Sequence, residues 1–349
     1  MPNPFFCGPR ITDPRYFVGR RAELGKIFSA LEMAVTGQVQ PVAIIGPRRI
    51  GKSSLLYHLT QIFDQHLQNP DMYHFIYVDL DAAGCQTQTG LFKYILECLP
   101  LAEGVPTPDL IAFDAALERL HRSGGPCPVV CLDEFEHLTQ RKAEFPDDFF
   151  TALRSLAQDG KVALVTASKT SLAELFVQGG LTSPFHNIFQ PLILGDLPVA
   201  EADELLARGR ACDRPFTGSE CADLRRLAGE NPYALQLAGS LLYQAKVAPA
   251  PDWDQLKRDF HAQFNFATRG LSSQEQFAAG ARRALASVRK APRGVGRFIL
   301  DVLKNDKASD ATAEILGWVV IALFLWLIFG MIDWGQLSAI VAVLRNLFK

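Results

Sequence analysis

Apolar residues along this chain fall into two spacings. In residues 41–45, 75–80, 127–132, 161–167 and 188–197 they run almost without a break, and polar or turn-forming positions bound each run. Short runs of that kind are strands buried on both faces. Between them apolar residues recur at the spacing of a helix. Leu24, Ile27, Phe28 and Leu31 mark a helix over 21–34, and Leu55, Leu56 and Leu59 mark another after residue 54. The same periodicity predicts helices over 90–99, 112–122 and 147–157. Five buried strands alternating with helices predict an α/β fold whose parallel sheet is covered on both faces.

Beyond residue 199 the pattern is helical only. It predicts helices over 200–210, 222–228 and 233–244, with Gly229 closing the second and Ala248-Pro249-Ala250-Pro251 ending the third. Residues 1–20 contain four prolines and two glycines, which exclude a regular helix. The organisation that follows is an arm and helix (1–40), an α/β core (41–198), a helical lid (199–266), a linker (267–310) and a C-terminal segment (311–349).

Charge changes the picture only near the C-terminus. Residues 282–307 carry eight Lys or Arg against two acids, and residues 315–332 form an uncharged run of 18. At about 1.5 Å per residue that run approaches the ~30 Å core of a bilayer. Basic residues before a span mark the cytoplasmic side and attract anionic lipid. The expectation is a single-pass membrane protein with its N-terminal domains on the cytoplasmic side and membrane lipid as a partner. The rival reading is a buried or oligomer-forming helix. The tail, 337–349, is apolar but short, and either lies in the interface as an amphipathic helix or folds back against the first span. A net charge of −2 gives no reason to expect a nucleic-acid partner. Seven scattered cysteines without metal-ligand spacing read as reduced thiols, and no signal peptide is expected.

The chemistry concentrates at the ends of the strands. Gly46-Pro47-Arg48-Arg49-Ile50-Gly51-Lys52-Ser53-Ser54 lies between a strand and a helix, the setting of a phosphate loop. Its backbone N–H groups and the following helix N-terminus favour phosphate. Lys52 is expected to reach the β- and γ-phosphates and Ser53 to hold Mg²⁺. Asp133 ends the strand over 127–132 and is the second expected Mg²⁺ ligand, and Glu134 beside it can orient or deprotonate water. Lys169 is either a γ-phosphate sensor or a solvated strand end. Phe17, Val18, Gly19 and Arg20 are either a packed turn or a cover for the base. Pro232 is either a plain helix start or a rigid edge against the base.

Taken together these residues resemble the STAND-type branch of AAA-like P-loop ATPases. The likeness covers about residues 3–245. It rests on Asn3-Pro4-Phe5, Thr12-Asp13-Pro14, Phe17-Val18-Gly19-Arg20, the phosphate loop, Leu132-Asp133-Glu134-Phe135-Glu136, Ser168-Lys169, Ser183-Pro184-Phe185 and Gly229-Glu230-Asn231-Pro232-Tyr233. The family usually has Arg where Lys169 stands, so the charge is kept and the two-pronged donor is lost. The resemblance implies a sheet order of 5-1-4-3-2, ATP or ADP with Mg²⁺ between sheet and lid, and Pro232 against the base. It also implies a slow switch, closed with ADP and self-associating with ATP. No internal repeat that would serve as a sensor is visible, so the trigger or partner protein is unknown.

Two functions follow. One is a signalling ATPase that oligomerises and permeabilises the inner membrane, as in bacterial defence. The other is a membrane-tethered ATPase that remodels or scaffolds a partner. Residues 315–332 hold no ionisable group, which favours a tether or a lipid-disrupting assembly over a water-filled channel.

Overall fold

The computed structural model describes residues 3–8, 10–34, 40–100, 108–247 and 251–269. The expected span at 315–332, the basic segment at 282–307 and the tail lie outside these residues. Among the described residues no helix is long and apolar enough to cross a membrane.

Helix α1 (Arg21–Ala34) precedes β1 (Val42–Ile45), α2 (Lys52–Ile62), β2 (Tyr73–Asp79), α3 (Gln88–Cys98) and α4 (Leu110–Arg122). Then come β3 (Cys127–Asp133), α5 (Glu136–Gln140), α6 (Asp147–Gln158), β4 (Ala163–Ser168), α7 (Leu172–Gln178) and β5 (Gln190–Ile193). Every pair in the sheet is parallel, and the order is β2-β3-β4-β1-β5. A sheet can be read from either edge; from the β5 edge this one reads 5-1-4-3-2.

The continuous apolar runs have a direct cause. All six residues of β4 are buried, because helices cover both faces of the sheet. On one face α3, α4, α6 and α7 close over a core dominated by Phe92, Phe113, Phe149, Phe150, Phe176 and Phe185. On the other, Leu24, Ile27 and Phe28 of α1 and Leu55, Leu56 and Leu59 of α2 pack against Val42, Ile44 and Val165.

Strand β5 is shorter than its apolar run. Pro184 opens a 3-10 turn over Pro184–Ile188, and past Ile193 the chain turns toward the lid. Pro191 sits in this edge strand, where the missing N–H costs no ladder bond on the solvent side.

The lid comprises α8 (Val199–Ala207), α9 (Gly218–Ala228), α10 (Pro232–Ala245) and α11 (Trp253–Arg269). Helix α9 starts before the predicted residue 222. Thr217 and Glu220 form a reciprocal capping box there, which satisfies two otherwise orphaned N–H groups. Helix α11 ends at Arg269, three residues past the expected end of the lid at 266. Leu205, Leu206, Leu224, Leu235, Leu242 and Phe260 form the lid core, and Phe5 of the arm is buried among them. Gly239 makes room for it, since a Cβ there would stand 2.5 Å from the Phe5 ring.

Candidate nucleotide site

The parallel register brings the C-terminal ends of β1, β2, β3 and β4 to one edge of the sheet. Asp79 lies opposite Asp133, and Ile45 opposite Ser168. Ligands bind outside this edge in open α/β sheets. Here the edge opens into a cleft of about 1080 Å³, shared by the phosphate loop, the arm and the lid.

The loop leaves the sheet after Gly46, whose N–H still bonds Ser168 O at 3.2 Å. Two left-handed residues, Arg49 (φ 65°) and Gly51 (φ 100°), turn it back, and buried Ile50 pins it between them. Gly51 is then the N-cap of α2, with no side chain capping the first turn. The uncapped N–H groups and the positive end of the helix make an anion site. Lys52 is 6% exposed, and its Nζ donates to Gly46 O at 2.8 Å and Pro47 O at 3.1 Å. Burial lowers its pKa, opposed by the charges of Glu134, Glu136 and Asp133. Arg48 lines the cleft. Arg49 donates to Gly8 O at 3.0 Å and lies 5.0 Å from the Tyr233 ring centre. Ser54 Oγ accepts the Ile11 N–H at 3.0 Å.

Asp133 is buried and held on both oxygens. Oδ1 accepts the Glu134 N–H at 3.0 Å, and Oδ2 accepts the Tyr77 hydroxyl at 2.6 Å. Burial raises its pKa, while hydrogen bonds from Tyr77 and Ser53 pull it down. Burial, helped by the Asp133 charge, pushes the Tyr77 phenol far above its ordinary range, so it stays a donor. Among the described residues no group of three or more His, Cys, Asp or Glu is placed to hold a metal ion by itself. The donor set nevertheless fits Mg²⁺. A hydroxyl and a carboxylate in hydrogen-bond contact are hard oxygen ligands, and Mg²⁺ ordinarily takes one or two carboxylates with the rest of its shell from phosphate and water.

Glu134 has a left-handed backbone (φ 52°), which marks a sharp exit from β3. Its Oε2 lies 3.2 Å from Lys169 Nζ, which is also 2.7 Å from Oε1 of buried Glu136. Burial works against the Lys169 charge, yet Glu136 and Glu134 together raise its pKa above the ordinary value. Burial likewise raises Glu136, but the Lys169 ammonium more than offsets it and the carboxyl titrates low. Lys169 is therefore not a freely solvated strand end. It is a cation shared by the two carboxylates beside the phosphate loop.

The stretch 17–20 divides its roles. Phe17 stacks on His58 of α2, ring centres 3.9 Å apart. Burial pushes His58 down to about 4, so the partner ring is uncharged. Val18 lines the cleft, as do the apolar Leu197, Leu205 and Pro232. Gly19 (φ 75°) has no room for a side chain, since a Cβ would meet Glu201 at 2.4 Å. Arg20 is only 3% exposed; its guanidinium donates to Ile50 O at 3.0 Å and Gly195 O at 2.7 Å and pairs with Glu23. It braces the phosphate loop against the segment entering the lid. Pro232 is both a helix start and a wall of the cleft. It is the first residue of α10, behind the Asn231 side chain that caps Ala234 N at 3.1 Å.

Sequence reasoning missed the groups that hold the arm across this cleft. Asn3 donates to Ser240 Oγ at 2.8 Å and Phe6 N–H to Gln236 Oε1 at 2.9 Å, both on α10. Arg10 donates to the Tyr77 hydroxyl at 2.8 Å. Arg208 of the lid donates to the carbonyls of Arg15, Tyr16 and Phe17. The charge on Arg10 and the apolarity of Phe5 were visible in the sequence, but nothing local named their partners.

Residues 113–293 match the profile of Novel STAND NTPase 2, and residues 36–176 match that of an AAA domain. Among solved structures, the Walker-type ATPase PABY2304 of Pyrococcus abyssi superposes with a TM-score of 0.58 at 16% identity, over 90% of this chain and 91% of that one. The Aeropyrum pernix ORC2 protein, in ADPNP–ADP complexes, gives 0.55 at 16% identity, over 73% and 69%. The ORC1 protein of the same organism, in complex with DNA, gives 0.51 at 16%, over 95% and 84%. At these identities the structural likeness establishes the P-loop fold alone. No curated protein matches the chain.

Proposed function

We propose that this chain, which belongs to the Novel STAND NTPase 2 family, is a slow, switch-like ATPase that binds ATP or ADP with Mg²⁺ in the cleft between sheet and lid. The observation that carries this reading is convergence. The uncapped start of α2, Lys52, the Ser53–Asp133 pair and Glu134 all meet at one sheet edge, with Pro232 and Val18 in the same cleft.

The residues divide the work. The α2 N-terminus and Lys52 bind phosphate oxygens, and Val18, Leu197 and Pro232 offer an apolar seat for the base. Ser53 and Asp133 would hold the metal, which neutralises charge on the phosphates when bound. Glu134 accepts a proton from water as the water oxygen bonds to the γ-phosphorus and the bond to the β–γ bridging oxygen breaks. Glu134 is paired with Lys169 in this arrangement. Turnover then requires Lys169 to shift its charge toward the γ-phosphate, and that requirement supports a slow switch over a fast motor.

The output proposed for the switch is self-association and action at the inner membrane through residues 311–349, with permeabilisation as the effect. The uncharged run at 315–332 supports a membrane role. Two measurements test the reading. Glu134→Gln should keep nucleotide binding and lower ATP turnover by roughly 10²–10⁴; undiminished turnover would remove Glu134 from the chemistry. Dye entry into bacteria expressing the full chain, but not a truncation ending at Asp310, supports permeabilisation. No entry with the full chain in the membrane fraction favours the tether.

A further inference from the structure

We infer that Tyr77 is a positioning residue for Asp133 and that Arg10 of the arm sets Tyr77, so that the arm tunes metal-assisted nucleotide binding. The inference rests on the nucleotide reading above. Its basis is a continuous chain of contacts between two regions far apart in sequence. The Arg10 guanidinium donates to the Tyr77 hydroxyl at 2.8 Å, and that hydroxyl donates to Asp133 Oδ2 at 2.6 Å. The direction is forced. A guanidinium can only donate and a carboxylate only accept, so a phenol between them must accept from one and donate to the other. Such serial hydrogen bonds strengthen one another.

A ring placed only for packing needs no hydroxyl, and the surroundings argue for more than packing. Arg10 sits 5.0 Å from the Tyr57 ring centre and 4.6 Å from that of Tyr77, a cation held by two aromatic faces. Its own Nη1 also lies 3.4 Å from Asp79 Oδ2. The next arm residue, Ile11, donates its N–H to Ser54 Oγ, beside Ser53. One short piece of arm is thus registered against both sides of the metal-binding pair. With Tyr77 on Oδ2 and the Glu134 N–H on Oδ1, the Asp133 carboxylate is fixed in orientation and its remaining lone pairs are left for Ser53 and the cleft. Outer-shell donors of this kind orient metal ligands.

The test uses the full chain and a fluorescent ADP analogue, titrated with Mg²⁺ and separately in EDTA. Tyr77→Phe keeps the ring under Arg10 and deletes the donor. It should raise the Mg²⁺ half-saturation roughly 10-fold or more, as loss of an outer-shell partner does elsewhere. Metal-free ADP affinity should stay within about twofold, because Tyr77 does not belong to the phosphate-binding residues. Arg10→Met should shift the Mg²⁺ dependence in the same direction by a smaller factor, and it keeps the inference testable if Tyr77→Phe does not fold. An unchanged Mg²⁺ half-saturation in both variants, or an equal loss of metal-free ADP binding, overturns the inference while leaving the nucleotide reading in place. Failure of the unaltered chain to bind the analogue at all overturns both.

Discussion

The phosphate loop and the N-terminal arm line the same cleft and are built in opposite ways. In the loop, the turn and the lysine contacts follow from residues a few positions apart, although Arg20 and Ser168 brace it from outside. Gly51 supplies the positive φ, Ile50 the anchor, and Lys52 reaches carbonyls five and six residues back. Among its described residues the arm has no regular structure beyond one 3-10 turn, and its anchors are remote: Ser54 and Tyr77 in the core, Gln236 and Ser240 in the lid. A local device takes its shape from its own neighbours in sequence. A remote one registers whether core and lid are in the right relation, because its two ends are fastened to different bodies. The contrast suggests that binding resides in the loop and control in the arm.

Lys52→Ala should have the largest effect. It should remove nucleotide binding by about 100-fold or more while the thermal transition of the ligand-free chain barely moves, since the lysine's own bonds run only to loop carbonyls. Retained ADP affinity in equilibrium binding would break the loop's half of the comparison. Phe5→Ala comes next. Truncating a buried aromatic costs about 3–5 kcal/mol at such sites, and here the loss should fall on the lid, read as early hydrogen exchange of α10 with the sheet still protected. Uniform loss across the sheet would mean the arm is not a separate fastening.

Lys169 and the two carboxylates it joins, Glu134 and Glu136, sharpen the comparison at intermediate size. Glu136 titrates below its ordinary value of 4.5, so its contribution to stability is present above that value and is lost as pH falls through the lowered one. Lys169 titrates above its ordinary 10.5, so its contribution is present below that value and is lost only as pH rises through the raised one. The stability gap between the natural chain and Glu136→Gln should therefore be widest between these limits and close on acidification. A gap that ignores pH would detach Glu136 from Lys169. The smallest effect is expected from Pro232→Ala, a few-fold faster ADP release in stopped flow, because Val18 and Leu197 keep their places in the cleft.

The sequence was most informative where structure is local. Helix α1 falls on the residues its periodicity marked, Arg21–Ala34, and β3 ends at Asp133 as the motif required. Helix α5 escaped because it has only five residues and follows the left-handed Glu134, so no period could establish itself. The run at 188–197 overstated β5, since apolar Leu194 and Leu197 are buried after the strand has ended. In the site, Lys52, Ser53, Asp133 and Glu134 were legible from a motif. The partnership of Lys169 with Glu136 was not, because it depends on how α5 leaves β3 beside the end of β4. Arg20 was placed near the nucleotide by its neighbours in sequence, whereas its guanidinium is spent on backbone carbonyls of the loop and the lid entrance.

The arm's fastening also implies an order of events during synthesis. Phe6 leaves the ribosome early, but its acceptor on Gln236 lies 230 residues downstream. At about 5–20 residues per second, that separation is a wait of roughly ten to fifty seconds. The last strand of the sheet, β5, is complete at Ile193, well before α10 begins at Pro232. For that interval the nascent core has its phosphate loop in hand while the arm's acceptors on α10, Gln236 and Ser240, are not yet made.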